Sequence, residues 1–357
     1  MMRSRTLAAI AILSLVVTNT NAQTRPTGPN PAPAELARVV IDPSRVAVTG
    51  ISSGGFMATQ LQLAYPELFP RAAVLAGGPY DCAVIAGSMG KCLYPATLNA
   101  QQIETAVDNA IRKSKAGSLG DLSKLAKGIV YVLYGTEDIV VGAGIAGAVT
   151  KFYKTLKQKD AALAGLTVTE DGTHKFAHTF PTYLAPPPED CDKSVSPYLG
   201  HCRFDGALDI LQHLYPDVTT GNEPSKQDGT FMKLVSDRFR STKTAFIGPN
   251  TYLYQPKVCR DGNPCGMLLV LHGCNQNEAA VGQTFARNVG FNRWADDYRL
   301  VIVYPQTRTA DENYGCWDWW GYTGQQFDTR EAPQMAWLQN LIVRLTGQSA
   351  PAEAPKR

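Results

Sequence analysis

The chain has 357 residues, 44% hydrophobic and 18% charged, which is enough apolar material for a large core and rules out a disordered or fibrous chain. Lys and Arg number 34 against 31 Asp and Glu, a net charge of +3 that falls to +1 without Arg3 and Arg5. Near neutrality without basic runs argues against nucleic acid as a partner.

The first residues have the three parts of a secretory signal: a cationic start at Arg3 and Arg5, an apolar run from Leu7 to Val17, and a small-residue exit at Thr20-Asn21-Ala22. Cleavage is expected after Ala22, making residues 1–22 a signal peptide and the mature protein secreted or periplasmic. The apolar run is roughly 11 residues, short of the ~20 that span a bilayer, and no later run is long enough. Residues 23–34 are Pro-rich and read as an extended lead-in. A core domain is expected over 35–347, followed by a tail at 348–357.

In an oxidising compartment the eight cysteines are expected to pair. Closeness in sequence favours Cys82 with Cys92, Cys191 with Cys202, and Cys259 with Cys265, which leaves Cys274 and Cys316 for each other. Zinc is the competing use of such residues. It is disfavoured because no C-x2-C pair occurs and histidine is scarce, so no metal is expected.

From there short apolar runs alternate with helical stretches. Arg45 to Thr49, Ala72 to Leu75, Ile129 to Tyr134, Leu166 to Thr169, Met267 to Leu271 and Leu300 to Tyr304 are predicted strands. Helices are predicted at Gly55 to Ala64, Ala100 to Lys115, Ile145 to Gln158, Ala207 to Leu214 and Gln334 to Leu345. Strands separated by helices imply an α/β fold, a mostly parallel sheet covered on both faces, in a single domain. The stretch from Thr182 to Cys202, with its prolines and two cysteines, reads as an irregular surface segment held by a bridge.

The first strand runs into Gly50-Ile51-Ser52-Ser53-Gly54, a G-x-S-x-G followed by a helix. In that context the pattern is a nucleophile elbow: the glycines permit a tight strand-to-helix turn that exposes Ser52 beside a helix N-terminus. Ser53 is the competing nucleophile but lacks a glycine two residues before it. A serine hydroxyl needs a base, and the base an orienting carboxylate, each at the end of a later strand. The strand ending at Tyr134 leads into Gly135-Thr136-Glu137-Asp138, which makes Asp138 the expected acid and Glu137 its near alternative. His174 and His178 both follow the strand from Leu166, and residue spacing alone does not separate them. His213 falls in a helical stretch and reads as a surface or packing residue.

An oxyanion formed by such a serine needs two donors, and one normally comes from an H-G segment after an earlier strand. Here Leu271-His272-Gly273-Cys274 has that form but lies downstream of the serine, acid and histidines. The C-terminal third therefore supplies what the N-terminal part lacks: the H-G strand, the strand ending Val303-Tyr304-Pro305, and a helix around Trp337 that would ordinarily lead into the elbow strand. The order is that of a circularly permuted α/β-hydrolase.

The segments DPSRVAVTGISSGGFMA, VLAGGPYDCA, VLYGTEDIVV, AHTFPT, CRFDGALDILQHLYP, LVLHGCNQN and NYGCWDWW, spread over most of the mature chain, resemble the polyhydroxybutyrate (PHB) depolymerases. The resemblance implies Ser52 as nucleophile, Asp138 as acid and His178 as base. It also implies an oxyanion hole of the Ser53 and Cys274 backbone N–H groups, and no cofactor. The expected activity is hydrolysis of poly- or oligo-(3-hydroxybutyrate) esters through an acyl-enzyme, with a polyester or hydroxyalkanoate oligomer as the substrate. A feruloyl or acetyl carboxylesterase of the same fold is the alternative, and a non-catalytic binding protein on a hydrolase scaffold is a more distant one. Three tryptophans, Trp317, Trp319 and Trp320, cannot all be buried on one side of an element, and the cluster is expected to line the substrate groove. Extracellular members often carry a linker and an adsorbing domain, whereas this chain ends soon after its last predicted helix. Soluble oligomers and amorphous polymer are therefore expected to be better substrates than crystalline film.

Overall fold

Strands at the centre of a parallel sheet are buried on both faces and need near-continuous apolar runs. In this protein they are β10 (Cys265–Leu271) and β11 (Leu300–Thr307), in which every residue is buried. Beside β10 lies β1 (Ile41–Ile51), and outward from it run β2 (Arg71–Leu75), β3 (Ile129–Leu133) and β4 (Thr167–Asp171), all parallel. Three short strands, β5 (Phe180–Thr182), β6 (Glu189–Asp190) and β7 (Leu199–His201), form a small separate sheet. Strands β8 (Thr230–Val235) and β9 (Ile247–Gln255) add an antiparallel edge to β11. The main sheet has eight strands in the order β4-β3-β2-β1-β10-β11-β9-β8. The first strand among the described residues therefore sits at the sheet's centre, with the sequence-distant β10 as its neighbour. That placement is the expected permutation.

The structure, a computed structural model, describes residues 39–183, 189–239 and 246–347. The expected signal peptide, lead-in and tail lie outside the described residues. Among the described residues no helix is long and apolar enough to cross a membrane.

Alternate residues of each strand point to opposite faces, and the core divides accordingly. On one face Val46, Val48, Val74, Val130, Val132, Leu269 and Val303 meet helices α1 (Ser53–Ala64), α3 (Ala100–Lys115) and α4 (Ala143–Lys159) and the helix Pro333–Thr346. The short α2 (Cys82–Ala86) lies on the same side. On the other face Ala47, Ala73, Tyr131, Leu268, Val270 and Ile302 meet α5 (Gly206–Leu214) and the segment around Phe291 and Trp294. Helix α3 begins with a capping box in which Asn99 accepts from Gln102 N–H and the Gln102 side chain accepts from Asn99 N–H.

The five predicted helices form with ends moved by at most two residues, and all six predicted strands form. Strands β8 and β9 were not predicted. Strand β8 is the half-solvated edge and carries Lys233, and the apolar part of β9 is cut short by Pro249 and Asn250, so neither presents the continuous apolar run that marks a central parallel strand. Four disulfides join Cys82 to Cys92, Cys191 to Cys202, Cys259 to Cys265, and Cys274 to Cys316.

Two glycines let β1 turn into α1 against the end of β10. A Cβ on Gly50 would lie 2.5 Å from the Gly54 carbonyl, and one on Gly54 would lie 2.4 Å from the Leu271 oxygen and 2.6 Å from that of His272. These neighbours are backbone and cannot swing aside. Gly54→Ala should therefore lower stability by about 3 kcal/mol, and the melting temperature by roughly 5 °C. Gly90→Ala, whose new methyl would meet nothing within 4 Å, is the control. Thermal melts of the two variants measure this; equal melting temperatures would show that the elbow accommodates a side chain.

Candidate active site

Ser52 occupies the turn between β1 and α1 with φ 56° and ψ −123°, a conformation that costs a non-glycine residue of order 1–3 kcal/mol and persists only under constraint. The constraint is visible. Ser52 N–H donates to Leu75 O at 3.0 Å, Ser52 C=O accepts from Phe56 N–H at 3.0 Å, and the two glycines seat the turn on β10. The Ser52 side chain lines a cleft of about 340 Å³. Ser53 does not line it: the residue is buried, and its Oγ accepts from Trp317 N–H at 3.3 Å.

Asp138 follows β3 in a loop and is buried, with both carboxylate oxygens occupied. Oδ1 accepts from the Val140 and Val141 amides at 2.8 and 2.9 Å, and Oδ2 faces His178 Nδ1 at 2.7 Å. Two backbone donors on one oxygen fix the carboxylate's rotation, so the other oxygen holds the imidazole edge-on. The His178 backbone N–H donates to Ser194 Oγ at 2.9 Å, and His178, Ser194 and Ser52 line the same cleft. The alternatives lie elsewhere. Glu137 is exposed. The His174 ring stacks on Phe204 at 4.1 Å, with its Nε2 3.4 Å from Asp171, and it does not line the cleft. His213 stacks on Tyr131.

The end of β10 supplies the third part. His272 is fully buried, its Nε2 accepts from Thr307 N–H at 3.1 Å, and its Nδ1 lies 2.7 Å from Gly273 O. Because an amide can only donate, the ring proton is on Nδ1 and is given to the Gly273 carbonyl. Burial pushes the imidazole down to about 4, so it is neutral at neutral pH. That carbonyl belongs to the Gly273–Cys274 peptide, whose N–H points the opposite way in a trans bond. Neither the Cys274 N–H nor the Ser53 N–H at the start of α1 has a protein acceptor among the described residues. Gly273 abuts the serine, since a Cβ there would lie 3.3 Å from Ser52 Cβ.

The cleft walls are mainly apolar and aromatic: Ile51, Phe56, Met89, Leu93, Val140, Tyr198, Tyr314, Trp319 and Trp320. The Cys274–Cys316 bridge joins the H-G loop to the tryptophan segment. Asp318 then folds that segment around its carboxylate. Oδ1 accepts from the amides of Trp320, Gly321 and Tyr322, and Oδ2 from Thr323 N–H and Oγ1–H. The turn sends the tryptophans in different directions. Trp319 stacks on Phe56 at 3.9 Å and Trp320 meets Trp319 edge-on at 5.4 Å, both on the cleft. Trp317, expected in the groove, is instead fully buried beside His272, because its backbone is drawn in to Ser53 Oγ ahead of the Asp318 turn. The sequence gives no role to Ser194, Tyr198, Tyr314 or Gln276, although Gln276 lies within LVLHGCNQN and Tyr314 within NYGCWDWW. No group of three or more His, Cys, Asp or Glu side chains that could hold a metal occurs among the described residues.

An elbow serine on a central parallel strand, an Asp–His pair at the ends of later strands, and helices on both faces define an α/β-hydrolase fold. Residues 252–347 match the family described as Esterase PHB depolymerase, and residues 34–180 match the prolyl oligopeptidase family. The chain is 33% identical to a poly(3-hydroxybutyrate) depolymerase of Delftia acidovorans over 90% of its own length, spanning 64% of that protein. It is 31% identical to a polyhydroxybutyrate depolymerase of Talaromyces funiculosus, covering 83% of this chain and 88% of the relative. The crystal structure of PHB depolymerase from Penicillium funiculosum superposes with a TM-score of 0.77 at 28% identity, covering 88% of this chain and 99% of that one. A PHB depolymerase complexed with an R3HB trimer gives 0.76, with the same identity and coverage. The chain belongs to the polyhydroxybutyrate depolymerase family.

The neutral, buried His272 has a consequence for stability. Its folded value of about 4 lies below the unfolded 6.5, so the unfolded chain binds more protons between these values. The contribution is complete above about 6.5 and is lost as pH falls toward 4, by on the order of 3 kcal/mol. The difference in unfolding free energy between wild type and the non-titrating His272→Gln, measured by urea denaturation, should therefore shrink from pH 7 to pH 4. A pH-independent difference would mean that the folded imidazole takes up its proton as readily as in the unfolded chain.

Proposed function

We propose that the chain is a serine esterase that hydrolyses poly- or oligo-(3-hydroxybutyrate) ester bonds through an acyl-enzyme. The observation that carries this reading is that Ser52, His178 and Cys274 line one apolar cleft, with Asp138 behind His178 at 2.7 Å and the amides of Ser53 and Cys274 left without a protein acceptor among the described residues. Ser52 Oγ attacks the ester carbonyl while His178 Nε2 takes its proton, and Asp138 holds the ring through Nδ1–H. The oxyanion accepts from the two amides. Collapse breaks the bond to the alcohol oxygen, which leaves with the proton from His178, and water then repeats the sequence on the acyl-serine.

The substrate class is supported by the names of the relatives, by the R3HB trimer bound to one of them, and by the cleft walls. A polyester of hydroxybutyrate presents methyl-bearing, uncharged repeats, which suit aromatic and aliphatic walls. Exposed Ile139 and Tyr94 stand next in sequence to the cleft residues Val140 and Leu93, and Tyr314, also exposed, lines the cleft. We also propose residues 1–22 as a signal peptide, 23–34 as a lead-in, 35–347 as the catalytic domain and 348–357 as a tail. Secretion to the periplasm or beyond is supported by the four disulfides.

Ser52→Ala should cut ester hydrolysis by roughly four orders of magnitude or more without altering the fold, while Ser53→Ala, which keeps its backbone amide, should retain most of the rate. Chromatography of products from 3-hydroxybutyrate oligomers of defined length tests the substrate: release of hydroxybutyrate is expected, and release of ferulate from a feruloyl ester in its place would overturn the reading.

The tryptophans give a second expectation. Trp320→Ala should reduce turnover of a hydroxybutyrate trimer about tenfold more than turnover of p-nitrophenyl acetate, because only the longer substrate reaches that wall. Equal losses on both would assign Trp320 to support of the loop.

A further inference from the structure

Gln276 lies three residues past the H-G pair and has no part in the chemistry above. It is almost wholly buried, and its amide is engaged at both ends. Oε1 accepts from Gly273 N–H at 2.8 Å, and Nε2 donates to Pro197 O at 2.9 Å and Tyr198 O at 3.1 Å. One backbone donor and two backbone carbonyls leave a single consistent orientation of the amide.

These three bonds join two loops from distant parts of the chain. The H-G loop carries Cys274, and its Gly273 sits against Ser52. The other loop runs from Ser194, whose hydroxyl holds the His178 backbone N–H, to Tyr198, whose carbonyl also accepts from Phe180 N–H just past His178. Gly273 is thereby gripped twice: its carbonyl by His272 and its N–H by Gln276. Gln276, Ser194 and Tyr198 all face the cleft.

We infer that Gln276 is a positioning residue that sets the distance between the oxyanion amide of Cys274 and the imidazole of His178 by tying their two loops together across the cleft. The inference rests on the serine-esterase reading. Donors aimed at a developing oxyanion act only if they are already in place, and a displacement of about 1 Å in such a site costs on the order of 100-fold in rate. Gln276 spends its hydrogen bonds on Gly273, Pro197 and Tyr198 rather than on the reacting serine or the histidine, so its effect should fall on turnover rather than on substrate binding.

The test uses the whole chain and two variants. Gln276→Glu keeps an acceptor for Gly273 N–H but cannot donate to the two carbonyls, and Gln276→Met keeps the volume and loses all three bonds. With p-nitrophenyl butyrate both should lose about 100-fold in kcat, with KM within about threefold of wild type. The inhibition constant of phenylboronic acid, which forms a tetrahedral adduct on the serine, should rise in parallel with the loss in kcat. A residue needed only for folding would instead lower the fraction of active enzyme, titrated with diethyl p-nitrophenyl phosphate, and leave kcat per active site and boronate affinity unchanged. That outcome, or wild-type kcat in the glutamate variant, overturns the inference. Mass mapping of the phosphoryl label separates this from failure of the underlying reading: label absent from Ser52 in the wild type would sink the esterase assignment itself, whereas label on Ser52 with unaffected Gln276 variants would sink only the role of Gln276.

Discussion

Everything at the cleft depends on one backbone contact, the seating of the turn at Gly50–Gly54 on the end of β10. Strands β1 and β10 pair in register from Val46 with Met267 to Gly50 with Leu271, so their carboxyl ends stop side by side. Ser52 emerges from one end and Cys274 from the other. The absence of side chains at Gly50, Gly54 and Gly273 lets these ends touch through main-chain atoms, and a contact with no rotatable part holds a strained serine conformation.

The groups that flank this contact are polar, buried and satisfied, which gives them direction as well as stability. Asp138 is anchored by two amides and leaves one oxygen for His178. His272 is anchored by Thr307 and spends its only proton on the Gly273 carbonyl. Farther out, Lys113 lies between the buried carboxyls of Asp81 and Asp328, and Asn109 donates to Asp81 at 2.8 Å. Burial and the neighbouring Asp328 push the Asp81 carboxyl up, whereas Asp328, despite its own burial, is held down by its hydrogen bond with Asp81 and by the Lys113 charge. This cluster joins the start of α2, whose disulfide runs to Cys92 beside the cleft residues Met89 and Leu93, to the segment that follows the tryptophans.

Covalent and hydrogen-bonded ties reinforce the same architecture from the other wall. The Cys274–Cys316 bridge, the Trp317 N–H bond to Ser53 Oγ, and the five donors gathered by Asp318 fasten the tryptophan segment to both the elbow and the H-G loop. A wall built this way presents Trp319 and Trp320 to the cleft from a fixed frame.

The sequence by itself determined the features set by local pattern. The apolar runs of the six predicted strands and the amphipathic period of the helices come from burial, and the elbow glycines come from steric need. The H-G segment downstream of the serine already required a permuted order. The pairing of cysteines close in the chain was legible because short loops bring them together. Tertiary structure alone decided what depends on which loops meet. His178 and His174 follow the same strand four residues apart, and folding turns one toward Asp138 and stacks the other on Phe204. Trp317 and Trp320 are equally apolar, yet the Asp318 turn buries the first and leaves the second on the cleft. Gln276 carries no signal of its role in the sequence, because its partners Pro197 and Tyr198 lie almost 80 residues away in the chain. Hydrogen bonds of that kind leave no periodicity to read: a polar side chain acquires its role from the backbone atoms that long-range packing happens to place around it.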